Sequence, residues 1–340
     1  MPTPPLSDAE HERARTQRLA DERAASESLG RLNGALELQA AVLALILPRA
    51  SKRAVYAWQI ETEGLPSAEA LREQVDHLSP TARLPQLEAL ISRMRAQPLA
   101  ARRALLEATR RVMGVRGTVR PIDRLHWLAM RQHLGAPSNA GRRHGAAADL
   151  AQLPQGDIEA IARYSAFLSR LVPVDMAASA GITGDAASAG VTDDAASAGV
   201  TGDAASAEAT GGAASTSLAG GEPVTDRPVE PAAASAPVRP GTAWYDTVML
   251  PWHDTATIPP CRPPDSDGLV HALQTLQALP WMQRPMLLHG WVAAALQHSR
   301  HGRLAFEAAD ALRLSGWLLD SPLPPELVRH YGVTVPQPGR

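Results

Sequence analysis

Residues 99–137 combine two amphipathic helical patterns with one glycine between them, and this stretch restricts the possible folds more than any other. Gly117 lies where a left-handed backbone can turn the chain, and Pro121 suits the first turn of a second helix. Because a lone hairpin cannot bury two apolar faces, we expect other helices to pack around it. Apolar residues recur at helical spacing on both sides of the turn: Leu105, Ala108, Val112, Val115, Ile122, Leu125, Leu128 and Ala129.

A second and looser copy of this pattern occupies residues 281–324. Aromatic residues make up only 4% of the chain, whereas strands draw on aromatic and β-branched residues. We therefore predict an all-α fold, a bundle of short helices built from two helical hairpins. The positions that repeat the first hairpin are Leu287, Leu288, Gly302, Leu304 and Pro322. We expect five tryptophans to anchor the core: Trp58, Trp127, Trp281, Trp291 and Trp317.

Changes in composition divide the chain into four parts. A polar tail or solvated helix covers 1–28, and a helical bundle with the first hairpin covers 29–172, beginning with a single apolar helix up to Pro48. Residues 173–241 are predicted to be a disordered low-complexity linker, because nine-residue repeats such as AASAGVTGD offer too little apolar surface to offset the entropy of ordering. Residues 242–340 are predicted to hold an irregular, proline-rich strap and then the second hairpin.

Positive charge is concentrated in the first hairpin and its neighbours. Thirteen arginines between Leu78 and Gly145 stand against three acidic residues. This clustering predicts a surface for an acidic protein or for anionic lipid headgroups, with nucleic acid as an alternative partner. A solvated helix face explains the same pattern without any partner. The candidate surface consists of Arg102, Arg103, Arg110, Arg111, Arg116, Arg120 and Arg124.

Motifs for catalysis are scarce. No phosphate-binding loop of the form G-x-x-x-x-G-K-[ST] occurs. A single cysteine, Cys261, rules out an internal disulfide and fits a reducing compartment. His298, His301 and Glu307 are the candidate metal ligands, and they would make the chain a metal-dependent hydrolase as an alternative function. Otherwise we expect no enzymatic activity and no cofactor.

Three stretches of the chain resemble the helical TerB-like (tellurite-resistance) domain. They are SLGRLNGALELQAAVLALIL, LPQLEALISRMRAQPLAARRALLEATRRVMGVRGTVRPIDRLHWLAMRQHL and RPMLLHGWVAAALQHSRHGRLAFEAADALRLSGWLLDSPLPP. In this order they are similar to the C-terminal region of proteobacterial membrane zinc metallopeptidases of the HtpX and CAAX-protease kind. The acidic turn of that family, D-G-x-V-x-x-x-E, matches Asp123 and Glu307 at its glutamate, whereas Arg116 and His301 replace its aspartate.

The family's peptidases bind zinc through H-E-x-x-H, and this chain contains no such motif. Its longest apolar run, from Ala40 to Leu47, is too short to span a bilayer. The resemblance therefore implies a non-catalytic binding or regulatory module that lacks the peptidase domain. It also implies a protein partner, such as a membrane peptidase system. We expect the chain in the cytoplasm or at the periphery of the inner membrane.

Overall fold

The computed structural model describes residues 8–47, 51–115, 117, 119–135, 149–172, 240–299 and 302–332. Within these residues all regular structure is helical, with no strand, so the all-α prediction is confirmed. The α-helices are α1 Asp8–Gly30, α2 Ala35–Ile46, α3 Lys52–Glu61, α4 Ala68–His77, α5 Pro80–Met94, α6 Leu99–Gly114, α7 Pro121–Leu134, α8 Gln155–Leu168, α9 Pro240–Met249, α10 Ser266–Ala278, α11 Gln283–Gln297, α12 Phe306–Leu318 and α13 Pro325–Tyr331. Two 3-10 turns cover Leu150–Gln152 and Leu250–Trp252.

Both predicted hairpins form around a glycine in the left-handed region. Gly117, between α6 and α7, has φ of 78°, and Gly302, between α11 and α12, has φ of 63°. A side chain at either position would be strained, which explains why a glycine lies there. The apolar faces are buried as predicted, except that Val115 at the end of the first face is 39% exposed. Periodicity thus located the hairpins but extended the first apolar face one turn too far.

The second helices of the two hairpins, α7 and α12, pack against each other. The ring of His133 stacks on Trp317 with 4.4 Å between ring centroids. Gln132 on α7 and Gln277 on α10 both donate side-chain amide hydrogens to the carbonyl of Leu318, at 3.0 and 2.9 Å. Leu318 ends α12, so its carbonyl has no partner within the helix and these amides satisfy it.

Helix α8 precedes residue 173 in the sequence but packs on helices that follow residue 239. It packs on α9 and α10, and two consecutive buried residues bond to the second hairpin. The hydroxyl of Tyr164 lies 3.0 Å from Ser315 Oγ, and Trp291 Nε1 donates to Ser165 Oγ at 3.0 Å. The described residues before 173 and after 239 consequently belong to one compact unit with one core.

Three sequence-based expectations need correction. The single apolar helix expected from residue 29 is broken, because α1 continues to Gly30 and Gly34 adopts an extended backbone before α2 begins. The strap expected from residue 242 begins as helix α9, whose Trp244 and Tyr245 are buried. Trp281 was expected in the core, yet it is 75% exposed because it precedes the first turn of α11. Most of the predicted linker, 173–239, lies outside the described residues.

No helix in the described part of the chain combines the length and the apolar character that crossing a bilayer requires.

The buried bond between Trp291 and Ser165 provides a test of the single core. Ser165→Ala leaves the indole N–H of Trp291 without its partner in a dry environment, so we expect the free energy of unfolding to fall by about 1–3 kcal/mol. Ser92→Ala is the matched control, because Ser92 lies exposed in the last turn of α5 and its loss should change stability by less than about 0.5 kcal/mol. Urea denaturation measures both. Equal stability of the two variants would contradict the assignment of a buried link.

Candidate functional site

Six of the seven arginines proposed for the binding surface lie in the described residues, and three of them are already engaged. Arg111 Nη2 donates to Glu61 Oε2 at 2.7 Å, and this bond lowers the pKa of Glu61. Arg120 donates to Asp123 Oδ1 at 2.9 Å across the first turn of α7. Arg102 Nη1 donates to a backbone carbonyl of α7 at 3.4 Å. Arg116 lies outside the described residues.

Two contacts establish how α6 and α7 align. Arg102 reaches the carbonyl of Leu134 at the end of α7, and the Arg110 guanidinium lies 5.2 Å from the ring centroid of Trp127 in its middle. The helices are therefore antiparallel, with the start of α6 beside the end of α7. In this alignment Arg103 on α6 lies close to Arg131 on α7 along the length of the hairpin. The sequence analysis did not include Arg131 in the candidate surface.

We define the arginine surface as Arg103, Arg110, Arg124 and Arg131 together with Trp127. Arg103 and Arg110 share one face of α6 at a spacing of seven residues, and Arg124, Trp127 and Arg131 share one face of α7. Seven residues of helix span roughly 10 Å, so the four guanidinium groups line a short strip across the hairpin.

The arginine surface is open to solvent and positively charged. Arg103, Arg110 and Arg131 are exposed and Arg124 is half-buried. No ion pair joins any of these four arginines to an acidic side chain among the described residues. Glu107 occupies the same face of α6, between Arg103 and Arg110, so the strip carries four positive charges and one negative charge. The contact of Arg110 with Trp127 holds one guanidinium in place while its outer side stays free.

Of the three candidate metal ligands, His298 has a partner within the protein. His298 ends α11, and its Nε2 lies 2.8 Å from Thr247 Oγ1. Glu307 lies in the first turn of α12, and His301 is outside the described residues. In the part of the chain that the structure describes, no three His, Cys, Asp or Glu side chains are grouped to hold a metal ion.

A second group of polar and charged residues, which the sequence analysis missed, lies between α5, α12 and α13, where Tyr331 is buried and its three charged neighbours are half-buried. Arg313 donates to both carboxylate oxygens of Glu88, at 2.8 and 2.6 Å. The Tyr331 hydroxyl donates to Asp310 Oδ1 at 2.8 Å, and the Arg313 guanidinium lies 4.5 Å from the Tyr331 ring centroid. The Arg313 guanidinium is therefore bonded to one carboxylate and lies over the ring of Tyr331, which bonds a second carboxyl group, so the four side chains tie three helices together.

Burial controls the protonation of this cluster. Desolvation raises the pKa of Asp310 to about 6, although the bond from Tyr331 and the charge of Arg313 oppose it and the nearby Glu88 and Glu307 add to it. Burial also raises the pKa of Glu88, against the opposing effect of Arg313. The hydrogen bonds of this cluster join α5 to α12 and α12 to α13.

Asp310→Asn tests this electrostatic account. The folded state holds the Asp310 proton up to about pH 6, whereas the carboxyl of an unfolded chain loses it near pH 3.9. The contribution of Asp310 to the free energy of unfolding therefore falls as the pH rises between those values. Because asparagine does not titrate, the stability of the variant relative to wild type should rise by roughly 1–3 kcal/mol between pH 4 and pH 7, at about 1.4 kcal/mol per pKa unit.

Urea denaturation at a series of pH values gives this difference directly. Titratable groups remote from Asp310 are the same in both proteins, so their contributions cancel in the difference. Ser92→Ala, at an exposed position, is the control: it removes no titratable group, so its difference from wild type should not depend on pH. A flat difference for Asp310→Asn as well would show that the carboxyl is not destabilised by burial.

Compared with known proteins, the chain matches no family model, no curated protein and no solved structure.

Proposed function

We propose that this chain is a non-catalytic binding module that holds an acidic segment of a partner protein on the arginine surface. The observation that supports the proposal is the selective pairing of the arginines. Arg111 and Arg120 are neutralised by carboxylates of the chain itself, whereas the four arginines of the surface have no such partner among the described residues. A face on which two neighbouring helices carry four arginines, with Glu107 as its acidic residue, attracts anions.

The chemistry of the surface favours carboxylate groups on a protein. The planar guanidinium donates two parallel hydrogen bonds to one carboxylate, which gives orientation as well as attraction. Trp127 adds apolar area between the guanidinium groups, which a peptide side chain can cover. Phosphates share part of this chemistry, so lipid headgroups and nucleic acid are the competing ligands.

The resemblance to TerB-like accessory regions supports the same kind of role. We propose on that basis that the partner belongs to a membrane peptidase system and that the chain works in the cytoplasm, at the periphery of the inner membrane. A metal-dependent hydrolase receives no comparable support, because His298 is bonded to Thr247.

Removing two charges from the arginine surface tests the proposal. The probe is a fluorescein-labelled oligoglutamate peptide, and the variant is Arg103→Gln/Arg131→Gln. We expect binding to weaken about tenfold, which corresponds to about 1.4 kcal/mol. Arg163→Gln/Arg170→Gln is the control, since it removes the same charge from exposed positions on and next to α8 and should change binding less than about twofold.

The same titrations with duplex DNA and with phosphatidylglycerol vesicles identify the class of ligand. Preference for the peptide at physiological salt supports the proposal. Tighter binding of DNA with a steep salt dependence, or tighter binding of vesicles, would replace it with the corresponding alternative. Equal weakening by both double variants would mean that only net charge matters.

A further inference from the structure

Four large apolar side chains are exposed at the start of the second hairpin and in the 3-10 turn that follows α9. Leu250, in the 3-10 turn, is 66% exposed, Trp281 75%, Met282 42% and Met286 49%. Scattered exposed apolar residues are ordinary on protein surfaces, whereas a contiguous patch is typical of an interface.

A groove of about 190 Å³ is lined by one of these side chains, Met286, and by Pro251 and Trp252 next to Leu250 in the sequence. Met286 forms one wall, and Val248, Pro251 and Trp252 belong to the opposite side. Gly290 and Ala293 on α11 provide small residues along its length, with Thr247 and Gln297 as its polar groups. A Cβ added at Gly290 meets no atom within 4 Å, so the space above this residue is open. The groove is therefore both apolar and accessible to a side chain from outside.

The exposed face of α11 carries almost no charge. Met282, Met286, Gly290 and Ala293 recur at the spacing of one helix face. The two basic residues of the helix are Arg284 and His289, and Arg284 is buried with bonds to the carbonyls of Leu279 and Leu319. His289 is exposed on this face and is its one basic side chain, so two copies of the face bring together no lysine, arginine or carboxylate of α11.

We infer that α11 is the contact helix of a symmetric homodimer. A two-fold interface must be complementary to itself, so each copy needs both a protrusion and a matching recess on one face. Trp281 is the protrusion, and the groove beside Gly290 is the recess. With two antiparallel copies of α11 and the two-fold axis at Met286, Trp281 of one copy lies at the level of Gly290 and Trp291 of the other.

The available area sets the strength of this contact. The four exposed side chains offer on the order of 450 Å² per copy, taking roughly 200 Å² for each complete side chain. Two copies with the groove lining then bury about 1,000 Å², which is the lower end for a specific interface. A dimer with an interface of this size is expected to be weak and to form reversibly, and the area alone does not set its dissociation constant.

Sedimentation velocity of the full chain from 1 to 300 μM tests the dimer, and concentration-dependent dimerisation is expected. Gly290→Glu places a charged side chain in the groove without an internal clash and should weaken dimerisation at least tenfold. Gly156→Glu is the matched control, because a Cβ added there also meets nothing within 4 Å and the residue is exposed on α8. Trp281→Ser removes the protrusion from an exposed position and should act like Gly290→Glu.

Cross-linking locates the two-fold axis. In a Cys261→Ser background, Met286→Cys places the same cysteine on both sides of the axis, so a short bis-maleimide should link two copies. Tyr56→Cys is the control, since Tyr56 is 66% exposed on α3 and remote from α11 in the sequence. A chain that stays monomeric at 300 μM overturns the inference. A dimer that resists Gly290→Glu, or that cross-links equally through both cysteines, places the contact elsewhere and also overturns it.

Discussion

Two helices joined by a tight turn can cover only part of each other's apolar surface, and the whole bundle depends on how the rest is covered. The first hairpin buries Leu105 and Leu125 completely, which requires helices beyond the hairpin itself. Helix α12 of the second hairpin covers α7. The contact is not purely apolar, because Gln132 and His133 of α7 both reach backbone carbonyls at the end of α12. Gln132 and His133 therefore pack against α12 and also bond to the carbonyl groups at its C-terminal end.

This arrangement determines which charges stay available. The inner face of α6 is used by the core, so its arginines can point only to neighbouring helices or to solvent. Arg111 points to Glu61 on α3 and becomes neutralised. Arg103 and Arg110 occupy the remaining face, and α7 adds Arg131 to it. The arginine surface is thus a consequence of which neighbours carry a carboxylate, and not of arginine abundance alone.

The sequence pattern predicted those features of the fold that depend on residues close together in the chain. Helical spacing and the left-handed requirement of Gly117 and Gly302 were sufficient to find both hairpins. Sequence could not reveal the long-range pairs: Glu88 and Arg313 are 225 positions apart, and Arg111 and Glu61 are 50 apart. As long as those pairs are unknown, the sequence does not distinguish an arginine that is paired with a carboxylate from one that is not. The sequence therefore grouped Arg111 with the surface and overlooked Arg131.

The arginine surface and the exposed face of α11 differ in their response to salt. Attraction between guanidinium and carboxylate groups is screened by salt, whereas burial of Trp281 and Met286 is not. A symmetric dimer through α11 carries two arginine surfaces. A partner with two acidic segments then binds the second surface at the effective concentration set by its own linker, which raises affinity without any new contact. Weak pairing through the second hairpin can therefore select partners that display repeated acidic segments over those with one.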